Sequence, residues 1–273
     1  MASADGQTNQ LLLRLAYRDL LRRGAPLPDL ADAEFRCYSQ NGEDGVLLYL
    51  FSVLGTTGRR VVEICAGEGT ECNAANLIIN HGWQGLLFDG DPDNVARGTT
   101  FFGTHPNTRI SPPRFVHAWI TAENVNSLVS QAGFAGPIDL LSMDVDGNDY
   151  WLLGALTCVQ PSVVVVEFNA ACGPHRAVAM GYSPGYRLDY AVTPYRCGAS
   201  LGAFTKLARS RGYRLVGVQS NGFNAFFVRN GLGDQLLPER SPEDCYRLNQ
   251  RLAGWHPTQL DQILAGPEPW EDV

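Results

Sequence analysis

Oxygen donors crowd at two places in this 273-residue chain, Asp144-Val145-Asp146-Gly147-Asn148-Asp149 and Glu167-Phe168-Asn169. Each follows an apolar run, Ile138 to Met143 and Ser162 to Val166, of strand composition. Ligands in an open parallel sheet bind outside the carboxyl ends of its strands, so both segments are expected to face one crevice. Alternation puts Asp144 and Asp146 on one side, and Glu167 and Asn169 on one side, for as long as the chain stays extended. Such oxygens suit a hard cation, Mg²⁺, Mn²⁺ or Ca²⁺, rather than a soft one. An EF-hand is excluded, because its sixth position needs Gly where Asp149 stands and its twelfth needs Glu where Ala155 stands. Two arrangements stay open. In one, Asp144, Glu167 and Asn169 hold a metal. In the other, Asp144 meets a cofactor or caps the next helix while Asp146, Asn148 and Asp149 form a turn. Asp144 and Asp146 belong to the reaction centre in both.

A second constellation lies upstream, in Glu63-Ile64-Cys65-Ala66-Gly67-Glu68-Gly69. Small residues between a strand and a helix let backbone N–H groups approach a cofactor, and the helix adds its positive end. A dinucleotide fingerprint would want a third glycine at position 72, where the chain has Cys72. An acid about 20 residues further on, able to accept from ribose hydroxyls, is expected for either a nicotinamide or an adenosyl cofactor, and Asp89 fills that place. Among the histidines, His175 follows the second acidic segment and is the candidate general base. His81 falls at a helix end, where a partly protonated ring would suit the dipole. His117 and Trp119 end a strand; Trp119 is either an adenine-stacking ring or core. Phe101, Phe102 and the stretch from Tyr182 to Tyr195 either line an acceptor pocket or fill core.

Four segments in order resemble the FkbM-type S-adenosylmethionine-dependent methyltransferases: Ser39-Gln40-Asn41-Gly42-Glu43-Asp44, Val62 to Gly69, Phe88-Asp89-Gly90-Asp91-Pro92-Asp93 and Leu141 to Asp149. Glu63, four residues before Gly67, resembles the acid of the first methyltransferase motif, which holds the loop or the methionine ammonium. The resemblance spans roughly residues 36–230. It implies a class I methyltransferase that binds S-adenosyl-L-methionine through Gln40, Glu63, Gly67, Gly69, Asp89, Trp119 and Asp144, and methylates a hydroxyl of a sugar or natural product. Acids at the ends of strands four and five also resemble the Mg²⁺-holding acids of catechol and macrolide-sugar O-methyltransferases. Asp89-Gly90 departs from the group's usual Glu-Pro, but Asp still accepts from a diol. An NAD(P)-dependent oxidoreductase and a non-catalytic binding module of the same fold are the alternatives.

The elements that must position these residues alternate along the chain. Runs at 60–65, 85–88, 114–118, 138–143 and 162–167 read as strands separated by helical segments, which implies a mainly parallel sheet with helices on both faces. Ser200 opens a helix that Gly212 ends. The runs 213–218 and 225–228 flank Asn221-Gly222, a hairpin signal, so one strand must run antiparallel. An α/β, Rossmann-like class I methyltransferase fold is expected over 36–230. A helical extension covers 1–35, where leucines 11, 12, 15, 20 and 21 form a packing or homo-oligomer surface and Gly24 a cap. An irregular cover follows over 231–273.

Composition bounds the partners. The net charge of −7 lacks the positive footprint that phosphate-backbone binding needs, which argues against nucleic acid. Seven cysteines without a C-x-x-C pair read as scattered thiols rather than a disulfide frame or zinc site. The apolar stretch from Leu11 to Leu21 is cut by Arg14, Arg18 and Asp19, which argues against a signal core or membrane span. A cytoplasmic protein acting on a small-molecule acceptor is expected.

Overall fold

In a computed structural model the structure describes residues 4–189, 191, 197–249 and 270–273. The C-terminal ends of the central strands carry the oxygen donors. These strands are β1 (Arg60–Ile64), β2 (Gln84–Asp89), β3 (Arg114–His117), β4 (Gly136–Met143) and β5 (Val159–Glu167). With β7 (Tyr213–Val218) and β8 (Asn224–Arg229) they make a seven-stranded sheet in the order β3-β2-β1-β4-β5-β8-β7. All neighbours from β3 to β5 pair parallel, while β8 runs antiparallel between β5 and β7. The order reverses between β1 and β4, and there the β1 and β4 loops part to leave a crevice.

Two apolar layers cover the sheet. On one face Val62, Ile64, Leu86 and Val164 meet the helices α5 (Val125–Gln131), α6 (Asp149–Ala155) and α7 (Leu201–Ser210) through Val129, Leu152 and Phe204. On the other, Val61, Leu87, Leu140 and Val165 meet α1 (Ala4–Arg23), α2 (Glu43–Leu54), α3 (Ala75–His81) and α4 (Pro92–Thr104) through Tyr17, Leu47, Ile78 and Phe102. Strand positions one apart thus serve opposite layers, as the period of two demands. Both faces are covered, which is why these strands read as near-continuous apolar runs.

Several boundaries differ from the sequence reading for local reasons. Strand β5 starts at Val159 rather than at Ser162. Strand β8 pairs only from Val163 on, so Pro161 has a neighbour on the β4 side alone and its missing N–H costs no ladder bond. Helix α3 starts at Ala75, because the chain before it forms the turn that Glu63 holds through Asn73 N and Ala74 N. Helix α1 ends at Arg23, with Gly24 at φ +61° beyond it. Leu11, Leu12 and Leu15 on that helix are exposed, whereas Tyr17 is buried against α2. The region after 230 contains α8 (Pro242–Leu248) and β9 (Trp270–Asp272). Strand β9 pairs antiparallel with β6 (Val178–Met180), a small sheet that three-residue runs do not announce. No helix among the described residues is long and apolar enough to cross a membrane.

Candidate active site

A cleft of about 540 Å³ opens over the ends of β1, β2, β4 and β5, lined by Gln40, Glu63, Gly67, Asp89, Asp144, Asp146 and Glu167 among others. Eight of its lining residues are Asp or Glu, and none of the described ones is Lys or Arg.

The glycine loop is held from below. Glu63 is buried, and its Oε1 accepts from Asn73 N at 2.9 Å and from Ser142 Oγ at 3.1 Å, while Oε2 accepts from Ala74 N at 2.7 Å. Burial pushes this carboxyl up, against the pull of the Ala74 and Asn73 N–H groups. Of the two roles open to it, holding the loop is the one the contacts display. Asp89 holds the loop from the other side: Oδ2 accepts from Gly67 N at 2.8 Å, and Oδ1 from Asp91 N at 2.9 Å and Asn94 Nδ2 at 3.1 Å. A carboxylate offers about four lone-pair sites, so one remains for a ribose hydroxyl.

The two glycines differ in purpose. Gly67, at φ +57°, would point a Cβ into open space beside the cleft. A Cβ on Gly69, at φ +73°, would meet the Phe102 ring at 2.6 Å, so this glycine serves packing.

At the end of β4, Asp144, Asp146 and Glu167 each offer a carboxylate oxygen, all within 4.8 Å of one another. Asp144 and Glu167 share a side-chain hydrogen bond. Burial, then the charges of Asp149 and Asp146, pushes Asp144 up to about 7. Burial, then Asp144, raises Glu167 in the same way, so the pair retains a proton between its oxygens. Asp146 reaches the group because its backbone turns left-handed, at φ +56°.

Both arrangements expected of this segment are partly present. Asp149 makes the turn, with Oδ1 accepting from Val145 N at 2.8 Å and Oδ2 from Gly147 N at 3.0 Å. Burial pushes Asp149 up to about 6. Asn148 leaves the site to bond the backbone of Ser183. Asp146, which one arrangement placed in the turn, stands with the carboxylates.

Three expected residues stand elsewhere. Asn169 is not beside the acids as a ligand. Strand β5 ends at Glu167, extended alternation stops there, and the Asn169 amide is engaged at both ends. Its Oδ1 accepts from Ala171 N and its Nδ2 donates to Cys197 O. His175 is not placed as a base: its side chain is 78% exposed, its Nδ1 lies 3.5 Å from Glu243 of α8, and it does not line the cleft. Trp119 lies outside the cleft lining, against Gly90, where a Cβ would come within 2.9 Å of its ring. The Arg187 guanidinium sits 4.6 Å from its ring centroid, and its Nε1 donates to Pro184 O.

His81 also differs. Burial, with Arg14 and Arg59 nearby, lowers it to about 4, so the ring is neutral and bonds Gln10 rather than answering the helix dipole as a cation. Phe102 is buried core. Tyr190 and Tyr195, in the stretch considered for an acceptor pocket, lie outside the described residues.

Glu43 and Asn224 are among the lining residues that were not read as such from the sequence. Glu43 at the start of α2 is buried, and its Oε1 accepts from Asn224 Nδ2 at 2.8 Å. Asn224 stands on β8 directly opposite Glu167. The motif Ser39 to Asp44 carried Glu43; nothing in the sequence marks Asn224, which depends on the β5–β8 register.

A parallel sheet reversed by one inserted strand, β8, between β5 and β7 distinguishes this molecule from a plain dinucleotide-binding domain. The fold is that of the class I methyltransferases. No family model matches the chain, and no curated protein sequence does. Solved structures similar to it include magnesium protoporphyrin IX methyltransferase from Synechocystis PCC 6803 with bound SAM, at 12% identity and TM-score 0.43, covering 69% of this chain and 78% of that one. An S-adenosylmethionine-dependent methyltransferase from Clostridium acetobutylicum ATCC 824 is similar at 10% identity and TM-score 0.45, covering 80% and 98%. The glycopeptide N-methyltransferase MtfA with S-adenosylhomocysteine is similar at 14% identity and TM-score 0.42, covering 73% and 95%. At such identities the likeness concerns the fold alone, and the strand order carries that assignment by itself.

Proposed function

We propose that this protein is an S-adenosylmethionine-dependent O-methyltransferase of the FkbM type, acting on a hydroxyl of a small molecule such as a sugar or natural product. The observation that carries this reading is the charge of the cleft: eight carboxylate residues and no described Lys or Arg line the space over the glycine loop. Such a field favours a cationic sulfonium and a methionine ammonium. It opposes the pyrophosphate of a nicotinamide dinucleotide, which needs N–H groups and positive charge around it. In this reading Gly67 and its neighbours cradle the cofactor, Asp89 accepts from a ribose hydroxyl, and the acceptor hydroxyl faces Asp144, Asp146 and Glu167. The carboxylates take the hydroxyl proton as the O–C bond forms and the S–C bond breaks, leaving neutral S-adenosylhomocysteine. A hard divalent cation such as Mg²⁺ held by the same acids would lower the hydroxyl pKa further. A small-molecule partner rather than nucleic acid accords with the net charge of −7, and a cytoplasmic setting belongs to the same proposal.

Calorimetric titration with S-adenosylhomocysteine and with NADH tests the cofactor. Binding of the first and not the second is expected; the reverse would sink the reading. Mass-spectrometric detection of methyl transfer onto polyhydroxylated acceptors tests the reaction, and transfer confined to amine acceptors would remove the O-methyl part.

A further inference from the structure

We propose that the turn between β7 and β8 is a positioning element for the cleft: Ser220 and Asn221, which do not line it, hold the segment from Glu34 to Glu43 so that Gln40 and Glu43 stand in its wall. This rests on the methyl-transfer reading, which supplies the cofactor that the wall meets. Groups that touch a ligand bind it well only when a supporting layer keeps them in place.

The near end of the segment is set by its own helix. Asp44 of α2 is buried, and its Oδ2 accepts from Cys37 N at 2.7 Å, Tyr38 N at 2.6 Å and Ser39 N at 2.8 Å. Glu43 Oε2 accepts from Asn41 N at 3.1 Å. Gln40 itself is exposed on the cleft, so the chain around it depends on support from its flanks. On the glycine-loop side Arg36 meets Glu71 at 2.7 Å, but both side chains are more than half exposed, and such pairs contribute little.

The turn supports the other flank. Ser220 donates to Glu34 Oε1 from N at 2.7 Å and from Oγ at 2.9 Å. The Glu34 side chain lies against Gly42, where a Cβ would come within 2.8 Å of Glu34 Cβ. Asn221 Nδ2 donates to Asn41 Oδ1 at 2.8 Å, and Asn224 Nδ2 to Glu43 Oε1 at 2.8 Å. These contacts join residues 180 to 186 positions apart. The turn is braced internally: Gly222 N and Asn221 N donate to O and Oε1 of buried Gln219, each at 2.8 Å. It is also tied to the reaction side, since Phe168 N donates to Phe223 O at 2.9 Å and Glu167 stands opposite Asn224. One turn therefore sets the Gln40 wall and the strand end that carries Glu167 relative to each other.

Calorimetric titration of the full chain with S-adenosylhomocysteine is the test. Glu34→Ala and Asn221→Ala should each weaken binding by about three- to tenfold, the net worth of a lost hydrogen bond. Glu34→Gln keeps the accepting Oε1 and should stay within about twofold of the wild type. Asn126→Ala is the control for general loosening. Its Oδ1 accepts from Thr157 N and Cys158 N at the opposite end of the sheet, so it should lose stability in urea while its affinity stays within about twofold. Wild-type affinity in either folded alanine variant of Glu34 or Asn221 overturns the proposal, and so does an equal loss in Glu34→Gln or Asn126→Ala. Should Glu34→Ala not fold, Asn221→Ala, at a half-buried turn position, decides alone. No binding by the wild type removes the methyl-transfer reading itself and, with it, the cofactor for the turn to serve.

Discussion

Asp89 shows how one carboxylate serves both scaffold and ligand. Its two oxygens already take three protein donors, one of them Gly67 N in the loop itself. Asp89→Ala therefore removes a ribose acceptor and frees the loop together. Calorimetry should show S-adenosylhomocysteine binding weakened by about 1.5–3 kcal/mol, the range for hydrogen bonds to a charged group. Unchanged affinity in a folded variant would remove Asp89 from the cofactor site. His175 makes the opposite case. Exposed and set against Glu243, it touches none of the reacting groups, so His175→Ala should retain wild-type kcat in the methyl-transfer assay. A fall of a hundredfold would mean that its loop closes over the acceptor.

At the scale of the element, the turn from β1 to α3 owes its shape to two glycines with separate duties. Gly67→Ala places a left-handed alanine, costing roughly 1–2 kcal/mol, with its methyl in open space at the cleft. Gly69→Ala bears the same backbone cost and also drives a methyl to 2.6 Å from the buried Phe102 ring. Denaturant unfolding should therefore find Gly69→Ala the less stable of the two. Cofactor titration should find Gly67→Ala the more impaired in affinity for its stability. If the two variants lose stability equally, the Phe102 contact does not constrain the loop.

For the whole molecule, the gathering of acids at one end of the sheet links stability to pH. Burial and mutual repulsion raise Asp149 to about 6 and Asp144 to about 7, above the ordinary carboxylate value of about 3.9. An acid raised by folding favours the folded state while protonated. Its contribution is complete below the unfolded pKa and is lost as pH rises through the folded one. Between about pH 4 and about pH 7 the ligand-free protein should thus lose the stability due to these groups. Asp144→Asn, which cannot ionise, should gain on the wild type across that window in urea unfolding at successive pH values. A difference that stays constant with pH would show that Asp144 is ionised throughout.

Much of this was legible in the chain because it rests on short-range rules. β-Branched runs separated by helical segments determined the parallel sheet, Ser200 and Gly24 marked helix ends, and Asn221-Gly222 announced the turn before the antiparallel strand. The glycine loop, Asp89 and the acids after β4 and β5 could be placed in one crevice, since strand ends of a parallel sheet converge by topology. What the sequence could not determine depends on where the chain leaves regular geometry. The strand ends at Glu167, and alternation no longer governs Asn169. Asp146 enters the cluster through a left-handed turn that periodicity does not encode. Glu43 and Asn224 are 181 positions apart in the chain and meet only because β8 inserts beside β5 with α2 packed near its start. Tertiary register alone brought Asn224 opposite Glu167 at the edge of the cleft.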